Sequence, residues 1–188
     1  MNAAEHFICS SALWRYFTGQ RLLPWLVSGV RLGDHALEIG AGYGAATMHL
    51  RERVQRVTAV EYDHNSSVKL RTRSNSVGVA VVRGTATHLP FACESFSSAV
   101  AILVLHHLES AKSQDQMFVE VFRVLRPGGV FVAFEIPDSW VHRVGHIRSM
   151  FTPIAPASLL PRLSGTGFSR VAVDVHMSGF RIIALRPE

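Results

Sequence analysis

The sequence predicts an α/β fold in which a mainly parallel sheet of seven strands ends in an antiparallel hairpin and carries helices on both faces. First, apolar segments of strand length alternate with segments of helical periodicity along the chain. Second, Ala99–Leu105 is continuously apolar, which is typical of a central parallel strand covered on both faces. Third, the last two predicted strands are separated by only Met177, Ser178 and Gly179. Parallel neighbours need a long crossover, so this pair must be antiparallel.

The strands of this sheet can be assigned in order from their apolar pattern. They are predicted at His35–Ile39, Arg56–Glu61, Val79–Arg83, Ala99–Leu105, Val130–Phe134, Phe168–His176 and Phe180–Leu185. Helices between them are predicted at Ala45–Arg53, at Ser66–Ser76 with Ser66 as N-cap, and at Ala111–Leu125. Pro127, Gly128 and Gly129 are expected to end the last of these helices and to turn the chain into the fifth strand.

Two further helical regions flank the predicted sheet. Residues 1–30 form an N-terminal helical cap, in which a helix over Ala3–Phe17 is expected to end at Gly19 and a short one follows at Leu22–Val27. Residues 135–165 form a short helical cover interrupted by prolines. At 188 residues the chain can bury one substantial core, so residues 1–188 are expected to form a single domain.

Composition narrows the classes of partner. The net charge of +5 comes from scattered basic residues without a dense tract, so no nucleic-acid partner is expected, although a peripheral contact with anionic lipid stays open. Cys9 and Cys93 lack metal-ligand spacing, so no metal is expected and reduced thiols in the cytoplasm are the simplest interpretation. The sequence lacks a signal pattern and an apolar run long enough to span a membrane. Oligomeric state is not predicted.

Three glycines at alternate positions follow the first strand and indicate a ligand site. Gly40, Gly42 and Gly44 would let the backbone approach a ligand, and the helix after them would aim free N–H groups at it. Glu61 ends the second strand, where a carboxylate facing the cleft can hold a ribose diol. The sequence therefore predicts a nucleoside cofactor. The spacing Gly40-x-Gly42-x-x-Ala45 also satisfies the fingerprint of NAD enzymes, but the carboxylate of Glu38 is unusual in a dinucleotide-binding strand.

Four ordered motifs carry a resemblance to a known family. The run Leu37-Glu38-Ile39-Gly40-Ala41-Gly42-Tyr43-Gly44 resembles motif I of the class I S-adenosylmethionine-dependent methyltransferases. The segments at 84–91, 104–108 and 123–129 (GTATHLPF, VLHHL and RVLRPGG) are similar to the small-molecule branch of that family, which includes quinone-biosynthesis enzymes. The resemblance covers about Leu37 to Phe134. It implies a Rossmann-like fold, S-adenosyl-L-methionine as cofactor and in-line methyl transfer to a small, partly apolar acceptor.

The resemblance also implies which residues bind the cofactor. They are Glu38, Gly40, Ala41, Gly42, Gly44, Glu61, Tyr62, Thr85, Ala86 and Ala101. In that family the acid at Glu38 lies near the methionine part of the cofactor. Two positions depart from the pattern, because Thr85 and Ser97 stand where the family usually has aspartate. The aspartate replaced by Thr85 usually bonds the adenine amino group, so Thr85 can offer only a hydroxyl there.

The acceptor side is less defined by sequence. His106 and His107 follow the fourth strand at the ligand-binding end of the sheet, where either could act as a general base or simply pack. Trp14, Tyr16, Glu135 and Trp140 are the candidate acceptor contacts. His142 and His146 have the i, i+4 spacing of metal ligands, but without a supporting motif they are interpreted as lid or surface residues.

Alternative functions remain open at this point. They are methylation of a phospholipid amine, hydride transfer with NAD(P), and a relative of the family that binds the cofactor without catalysis or has lost it. Glu38 and the terminal hairpin disfavour the oxidoreductase. Thr85 favours the non-catalytic relative, and the intact glycines and Glu61 oppose it.

Overall fold

The computed structural model describes residues 9–75, 78–145, 147, 149–176 and 179–188. The start of the predicted N-terminal helix, Ser76, His146 and the turn residues Met177 and Ser178 lie outside this description. Seven strands form one sheet in the order β3-β2-β1-β4-β5-β7-β6. They are β1 (His35–Ile39), β2 (Arg56–Glu61), β3 (Val79–Arg83), β4 (Phe96–Ile102), β5 (Leu125–Glu135), β6 (Ser169–His176) and β7 (Gly179–Leu185).

The strand pairing confirms the predicted fold class. β1 pairs in parallel with β2 and β4, β2 with β3, and β4 with β5. β7 runs antiparallel to both β5 and β6. The helices are α1 (Ala12–Phe17), α2 (Leu23–Leu26), α3 (Thr47–Arg51), α4 (His64–Ser74), α5 (Ala111–Val124), α6 (Trp140–Gly145) and α7 (Pro156–Thr166). None of the described helices is long and apolar enough to cross a membrane.

The core lies on both faces of the sheet, as the side chains of β5 show. Phe131 and Ala133 join one buried cluster with α5 and α7, while Val130, Val132 and Phe134 join another with α2 and α3. Successive strand residues point to opposite faces, so this alternation places helices on both sides. Each fully buried Leu or Phe side chain stabilises the fold by about 1.5–3 kcal/mol through the hydrophobic effect.

The prediction that Gly19 ends the N-terminal helix is wrong. α1 continues through a π-helical turn at Thr18–Leu22 directly into α2. A Cβ on Gly19 would lie 1.9 Å from Nε2 of His49, so the glycine serves a close approach of this helix to the His49 ring. Gly19 therefore allows the N-terminal cap to pack closely against His49, and it does not interrupt the helix.

Other boundaries differ from prediction for local reasons. α4 starts at His64 because Asp63 is the N-cap, and the Asp63 Oδ1 accepts the Ser66 N–H at 2.8 Å. β4 ends at Ile102, since Leu103 adopts a φ of 59° and residues 105–107 form a 3₁₀ turn. The segment Pro127-Gly128-Gly129 lies within β5 as an irregularity, because Phe96 pairs with Leu125 and Ser98 pairs with Val130. α3 spans only Thr47–Arg51.

The region predicted as a cover, residues 135–165, divides into two parts. α7 is a core helix, because Leu159 and Leu163 are fully buried against the cluster that contains Phe168. α6 and the chain after it are more exposed: Trp140 is 76 % and Met150 44 % exposed. Only this first part can cover the edge of the sheet.

Candidate functional site

The site lies where the carboxyl ends of four parallel strands meet at one edge of the sheet. β1 leads into the glycine loop, β2 ends in Glu61, β4 leads into Leu103–His107, and β5 ends in Glu135. Parallel pairing in the order β2-β1-β4-β5 makes these four loops neighbours. The edge therefore combines the predicted cofactor loop with the predicted acceptor residues.

The glycine loop needs its glycines for two different reasons. Gly40, Gly42 and Gly44 have φ values of 66°, 54° and 80°, in the left-handed region that side chains disfavour. A Cβ on Gly40 would lie 2.6 Å from Cγ2 of Val104, and one on Gly44 would lie 2.5 Å from Cδ1 of Leu70. A Cβ on Gly42 would meet no atom within 4 Å. Gly40 and Gly44 therefore allow packing, whereas Gly42 borders open space that a ligand can fill.

The N–H groups of the three glycines in this loop are hydrogen-bonded within the protein, whereas the free N–H groups were predicted on the helix that follows. The Gly40 N–H donates to the Val60 carbonyl at 2.9 Å, and the Gly44 N–H donates to the Ala41 carbonyl at 2.8 Å. The Gly42 N–H donates to Oε2 of Glu61 at 2.7 Å. The following helix starts only at Thr47 and has five residues.

Glu61 holds the glycine loop through hydrogen bonds and also lines the site. It is 9 % exposed, and its second oxygen, Oε1, accepts the Asp63 N–H at 2.8 Å. The sequence predicted a carboxylate facing the cleft, and did not predict that both oxygens already accept backbone N–H groups. A carboxylate has about four lone-pair sites, so each oxygen can still accept a ribose hydroxyl.

Glu38 is a buried carboxyl group with an unsatisfied oxygen. It is 5 % exposed, and among the described residues its Oε2 has no hydrogen-bond partner. Burial raises the pKa of Glu38 to about 8; the nearby Thr47 hydroxyl offsets part of this and the charge of Glu61 adds to it. The hydroxyl of Thr47 is also buried without a partner in the described structure. Such orphaned oxygens suit a ligand that brings positive charge, as the sulfonium and amino groups of S-adenosylmethionine would.

The predicted adenine-side residues are only partly available. The hydroxyl of Thr85 lies 3.0 Å from the Thr87 hydroxyl and accepts the Thr87 N–H at 3.4 Å, so it already serves a local turn. Tyr62 is 76 % exposed and Ala86 is half-buried against the core. Ala101 is 1 % exposed within β4, and its contact with the cofactor stays a prediction.

Glu135 differs from its predicted role as an acceptor contact. It is 1 % exposed, its Oε1 accepts the Leu105 N–H at 2.6 Å, and its Oε2 lies 2.6 Å from Nδ1 of His106. His106 is itself 2 % exposed, and its carbonyl accepts the Thr152 N–H at 2.7 Å. Glu135 thus holds the loop after β4, and His106 is enclosed by the segment after α6. His107 is half-buried, with its ring centroid 4.1 Å from that of His106.

The sequence analysis did not single out Gln114, whose side chain forms hydrogen bonds with three other segments. It is 1 % exposed, and its Nε2 donates to the carbonyls of Leu105 at 3.2 Å and Thr152 at 2.9 Å. Its Oε1 accepts from Arg162 of α7 at 3.1 Å. The signal was present, because Gln114 is a polar residue at the start of the apolar stripe that continues with Met117, Phe118 and Val121.

The remaining predicted acceptor residues form an apolar surface. Trp14 packs against the buried cluster that also receives Leu103 and Ile136, from the ends of β4 and β5. Tyr16 and Trp140 are 66 % and 76 % exposed. Leu103 was missed by the sequence analysis, since nothing in the pattern signals its positive φ. Its backbone conformation costs about 1–2 kcal/mol and places an apolar side chain at the edge of β4.

Two grooves lie beside the glycine loop. One of about 340 Å³ is lined by Tyr43, Asp63, His64, Asn65, Val68 and Lys69. The other is lined by Ser10, Tyr43, Val68, Lys69, Thr72 and Arg73. None of the ten predicted cofactor residues lines either groove. Within the described ranges, no group of three or more His, Cys, Asp or Glu residues has the geometry of a metal site, and His142 instead contacts Ser139 and Pro137.

Comparison with known proteins identifies the family. Residues 37–133 match the family model described as a methyltransferase domain. The chain is 34 % identical over 114 residues to a fatty-acid O-methyltransferase of Mycolicibacterium smegmatis, a match that covers 56 % of this chain and 40 % of that protein. It is 31 % identical over 114 residues to 24-methylenesterol C-methyltransferase 2 of Arabidopsis thaliana, covering 56 % of this chain and 30 % of that protein. The chain thus spans less than half the length of these relatives.

A solved structure agrees with the fold. An S-adenosylmethionine-dependent methyltransferase from Methanosarcina mazei superimposes with a TM-score of 0.73 at 19 % identity, covering 87 % of this chain and 97 % of that one. The family match extends from β1 through most of β5, and S-adenosyl-L-methionine is the cofactor that the family and fold imply. The chain is a member of the class I S-adenosylmethionine-dependent methyltransferase family.

Proposed function

We propose that this chain transfers the methyl group of S-adenosylmethionine to a small acceptor with a large apolar part, in the manner of a lipid. The observation that carries the proposal is the apolar character of the predicted acceptor residues: Trp14, Leu103 and Ile136 each pack against one buried cluster, and Tyr16 and Trp140 are exposed. Apolar contacts recognise acceptors by burying their hydrocarbon surface. The names of the relatives that act on fatty acids and sterols support the same substrate class.

The cofactor would be held by residues at the ends of β1, β2 and β3. Glu61 would accept the ribose hydroxyls while it keeps the loop in shape through the Gly42 N–H. Glu38 would face the positively charged methionine part, and Thr85 with Ala86 would border the adenine. The open space beside Gly42 fits a ligand that passes close to the backbone. When bound, S-adenosylmethionine supplies an activated methyl group, so the protein mainly has to orient the acceptor in line with it.

An acceptor hydroxyl must lose its proton when it is methylated, and a nearby residue can accept that proton. His106 is buried and bonded to Glu135, whereas His107 keeps some exposed surface at the same loop. Of the two predicted candidates, His107 is therefore better placed to receive a proton from an acceptor hydroxyl. Glu135 acts by positioning this loop. A carboxylate acceptor would need no base, because it is already ionised at neutral pH.

The cofactor assignment is tested by calorimetry with S-adenosylhomocysteine and with NAD. We expect binding of the first and none of the second. Glu61→Ala should weaken binding by about 1.5–3 kcal/mol, because charge-assisted hydrogen bonds to the ribose are lost. The matched control is Glu52→Ala, whose carboxylate is 68 % exposed on the side chain and should leave affinity unchanged. Binding of NAD without binding of S-adenosylhomocysteine would overturn the family's cofactor for this chain.

The acceptor class is tested by transfer of a labelled methyl group. The acceptors to compare are a long-chain fatty acid, a sterol, phosphatidylethanolamine and a quinone precursor, with a short water-soluble analogue of each as control. We expect transfer to the long-chain fatty acid, the sterol or the quinone precursor, and not to any of the short analogues. Transfer to phosphatidylethanolamine would select the phospholipid-amine alternative, and equal transfer to the short analogues would contradict an apolar acceptor site. The quinone-biosynthesis branch and the cytoplasmic location stay predictions.

A further inference from the structure

The excess positive charge of the chain is confined to two segments. Residues 9–33 and 64–83 contain seven Lys and Arg residues and no Asp or Glu. The rest of the chain contains twelve basic and fourteen acidic residues. The net charge of +5 therefore arises entirely from these two segments, which hold the N-terminal cap and α4.

The two basic segments lie side by side. The groove of about 370 Å³ beside Tyr43 is lined by Ser10, which precedes α1, and by Lys69 and Arg73 of α4. Burial lowers the pKa of Arg73, and the positive charge of Arg15 from α1 lowers it further. Arg15, Lys69 and Arg73 therefore lie near one another on this face. The nearest acid in the sequence, Asp63, caps α4 through the Ser66 N–H.

Apolar side chains project from the same cap. Leu13, Tyr16 and Phe17 are 77 %, 66 % and 45 % exposed and occur at i, i+3 and i+4, which places them on one face of α1. Trp14, the residue after Leu13, packs against the core, and its ring centroid lies 5.8 Å from that of Phe17. Such a helix, apolar outward and flanked by Arg15 and Arg21, has the composition of an interfacial helix.

A second apolar group lies at the other side of the site. Trp140, Val144 and Ile147 are 76 %, 55 % and 60 % exposed, again at helical spacing. α6 begins four residues after Ile136, which packs against the same buried cluster as Trp14. Both apolar groups therefore border the edge of the sheet where the acceptor would enter.

We propose that α1, α4 and α6 form a docking surface for an anionic phospholipid bilayer. The outward apolar residues of α1 and α6 insert at the boundary between headgroups and acyl chains, and the cations of the cap and α4 meet the lipid phosphates. Five of the seven cations lie on the cap and α4, and this charge selects an anionic bilayer over a neutral one. The inference deepens the proposed function, because a lipid acceptor would then enter from the bilayer, but docking itself requires no methyl transfer.

The apolar part of the surface is tested by flotation of the intact chain with vesicles. Wild type should bind vesicles that contain phosphatidylglycerol and not vesicles of phosphatidylcholine alone, and salt should weaken the binding. Leu13→Ser with Val144→Ser should lower the partition coefficient at least tenfold, because two inserting side chains are lost. The matched control is Leu160→Ser with Val175→Ser, a Leu and Val pair that is 56 % and 70 % exposed on α7 and β6. This pair should bind like wild type.

The charged part is tested by single substitutions. Arg21→Ala and Lys69→Ala should each lower binding about fivefold, since a basic residue near an anionic surface contributes about 1 kcal/mol. Lys112→Ala, at an exposed position of α5, should leave binding unchanged. Calorimetry with S-adenosylhomocysteine on the same preparations keeps the two proposals apart, because loss of cofactor binding would count against the methyltransferase function and not against docking.

Three results would overturn the docking surface. Wild type could fail to float with anionic vesicles at low salt. The Leu160 and Val175 control pair could lose as much binding as the Leu13 and Val144 pair. Sedimentation velocity could show a dimer that only the Leu13 and Val144 pair dissociates, in which case the surface binds a second copy of this chain and not a membrane.

Discussion

Two buried carboxyl groups, Glu38 and Glu135, lie at the same edge of the sheet but differ in their hydrogen bonding. Oε2 of Glu38 has no hydrogen-bond partner among the described residues. Both oxygens of Glu135 are hydrogen-bonded, one to the Leu105 N–H and the other to His106. Both are nearly inaccessible, at 5 % and 1 % exposure. β4 separates their strands in the sheet. Burial alone therefore does not tell a binding carboxylate from a structural one; the presence or absence of partners does.

This difference divides the site into two functional halves. On the β1 side, Oε2 of Glu38 and the Thr47 hydroxyl are buried without a hydrogen-bond partner among the described residues. On the β5 side, Glu135 pairs with His106 and accepts the Leu105 N–H, and Gln114 donates to the Leu105 and Thr152 carbonyls, so these polar groups hold the backbone. Replacing each carboxyl group should accordingly have opposite consequences for stability.

The largest expected effect is the loss of Glu135. Glu135→Ala leaves the buried Leu105 N–H and the ring of His106 without their partner, which should lower the free energy of unfolding by about 3–5 kcal/mol. Glu135→Gln should lose less, because one amide oxygen can still accept the Leu105 N–H. Urea unfolding of both variants checks this, with Glu94→Ala, an exposed partner of Arg186, as control. An unfolding energy for Glu135→Ala within about 1 kcal/mol of wild type would contradict a structural role.

Glu38 should show the reverse behaviour, and its signature is a pH dependence. Its pKa is about 8 in the folded protein against an ordinary value of 4.5. At pH values between these two, the folded protein therefore keeps a proton on Glu38 that the unfolded chain has lost. Stability of the cofactor-free protein should then fall as pH rises, by about 2–3 kcal/mol between pH 5 and pH 7.

The variant Glu38→Gln isolates this contribution. Its amide does not ionise, so the slope with pH should vanish and the variant should be more stable than wild type at pH 8, while it binds S-adenosylmethionine more weakly. Glu52→Gln, an exposed control, should keep the slope of wild type. A slope that persists in Glu38→Gln would show that another group carries it.

The smallest effect concerns a third carboxylate, introduced at the end of β3. Thr85→Asp would still accept the Thr87 N–H through one oxygen and leave the other for the adenine amino group. We expect binding of S-adenosylhomocysteine to tighten by about 1 kcal/mol after desolvation of the carboxylate. An analogue without the amino group should gain nothing. Weaker binding of S-adenosylhomocysteine by the variant would place Thr85 away from that amino group.

The comparison also shows how far the sequence could predict the site. β1, β2 and β3 were predicted with their observed bounds, whereas the continuously apolar run Ala99–Leu105 placed the fourth strand three residues too late, since β4 is Phe96–Ile102. The glycines, Glu38 and Glu61 could be found because their spacing is local. The pairing of Glu135 with His106 joins residues 29 apart, and no local pattern encodes it. The start of α4 was misplaced by two residues because Asp63 and Ser66 are both good N-caps, and only the geometry shows which one accepts.

The contact between Gly19 and His49 has a consequence for how this sequence can vary. A Cβ at residue 19 would lie 1.9 Å from Nε2 of His49, so a larger residue there requires the His49 side chain or the cap to move. Among relatives that keep this cap, a larger residue at position 19 should occur only with a small residue at position 49. The two positions, 30 residues apart in the chain, should therefore covary. The residues at positions 19 and 49 would then together determine how the cap is oriented over the acceptor edge.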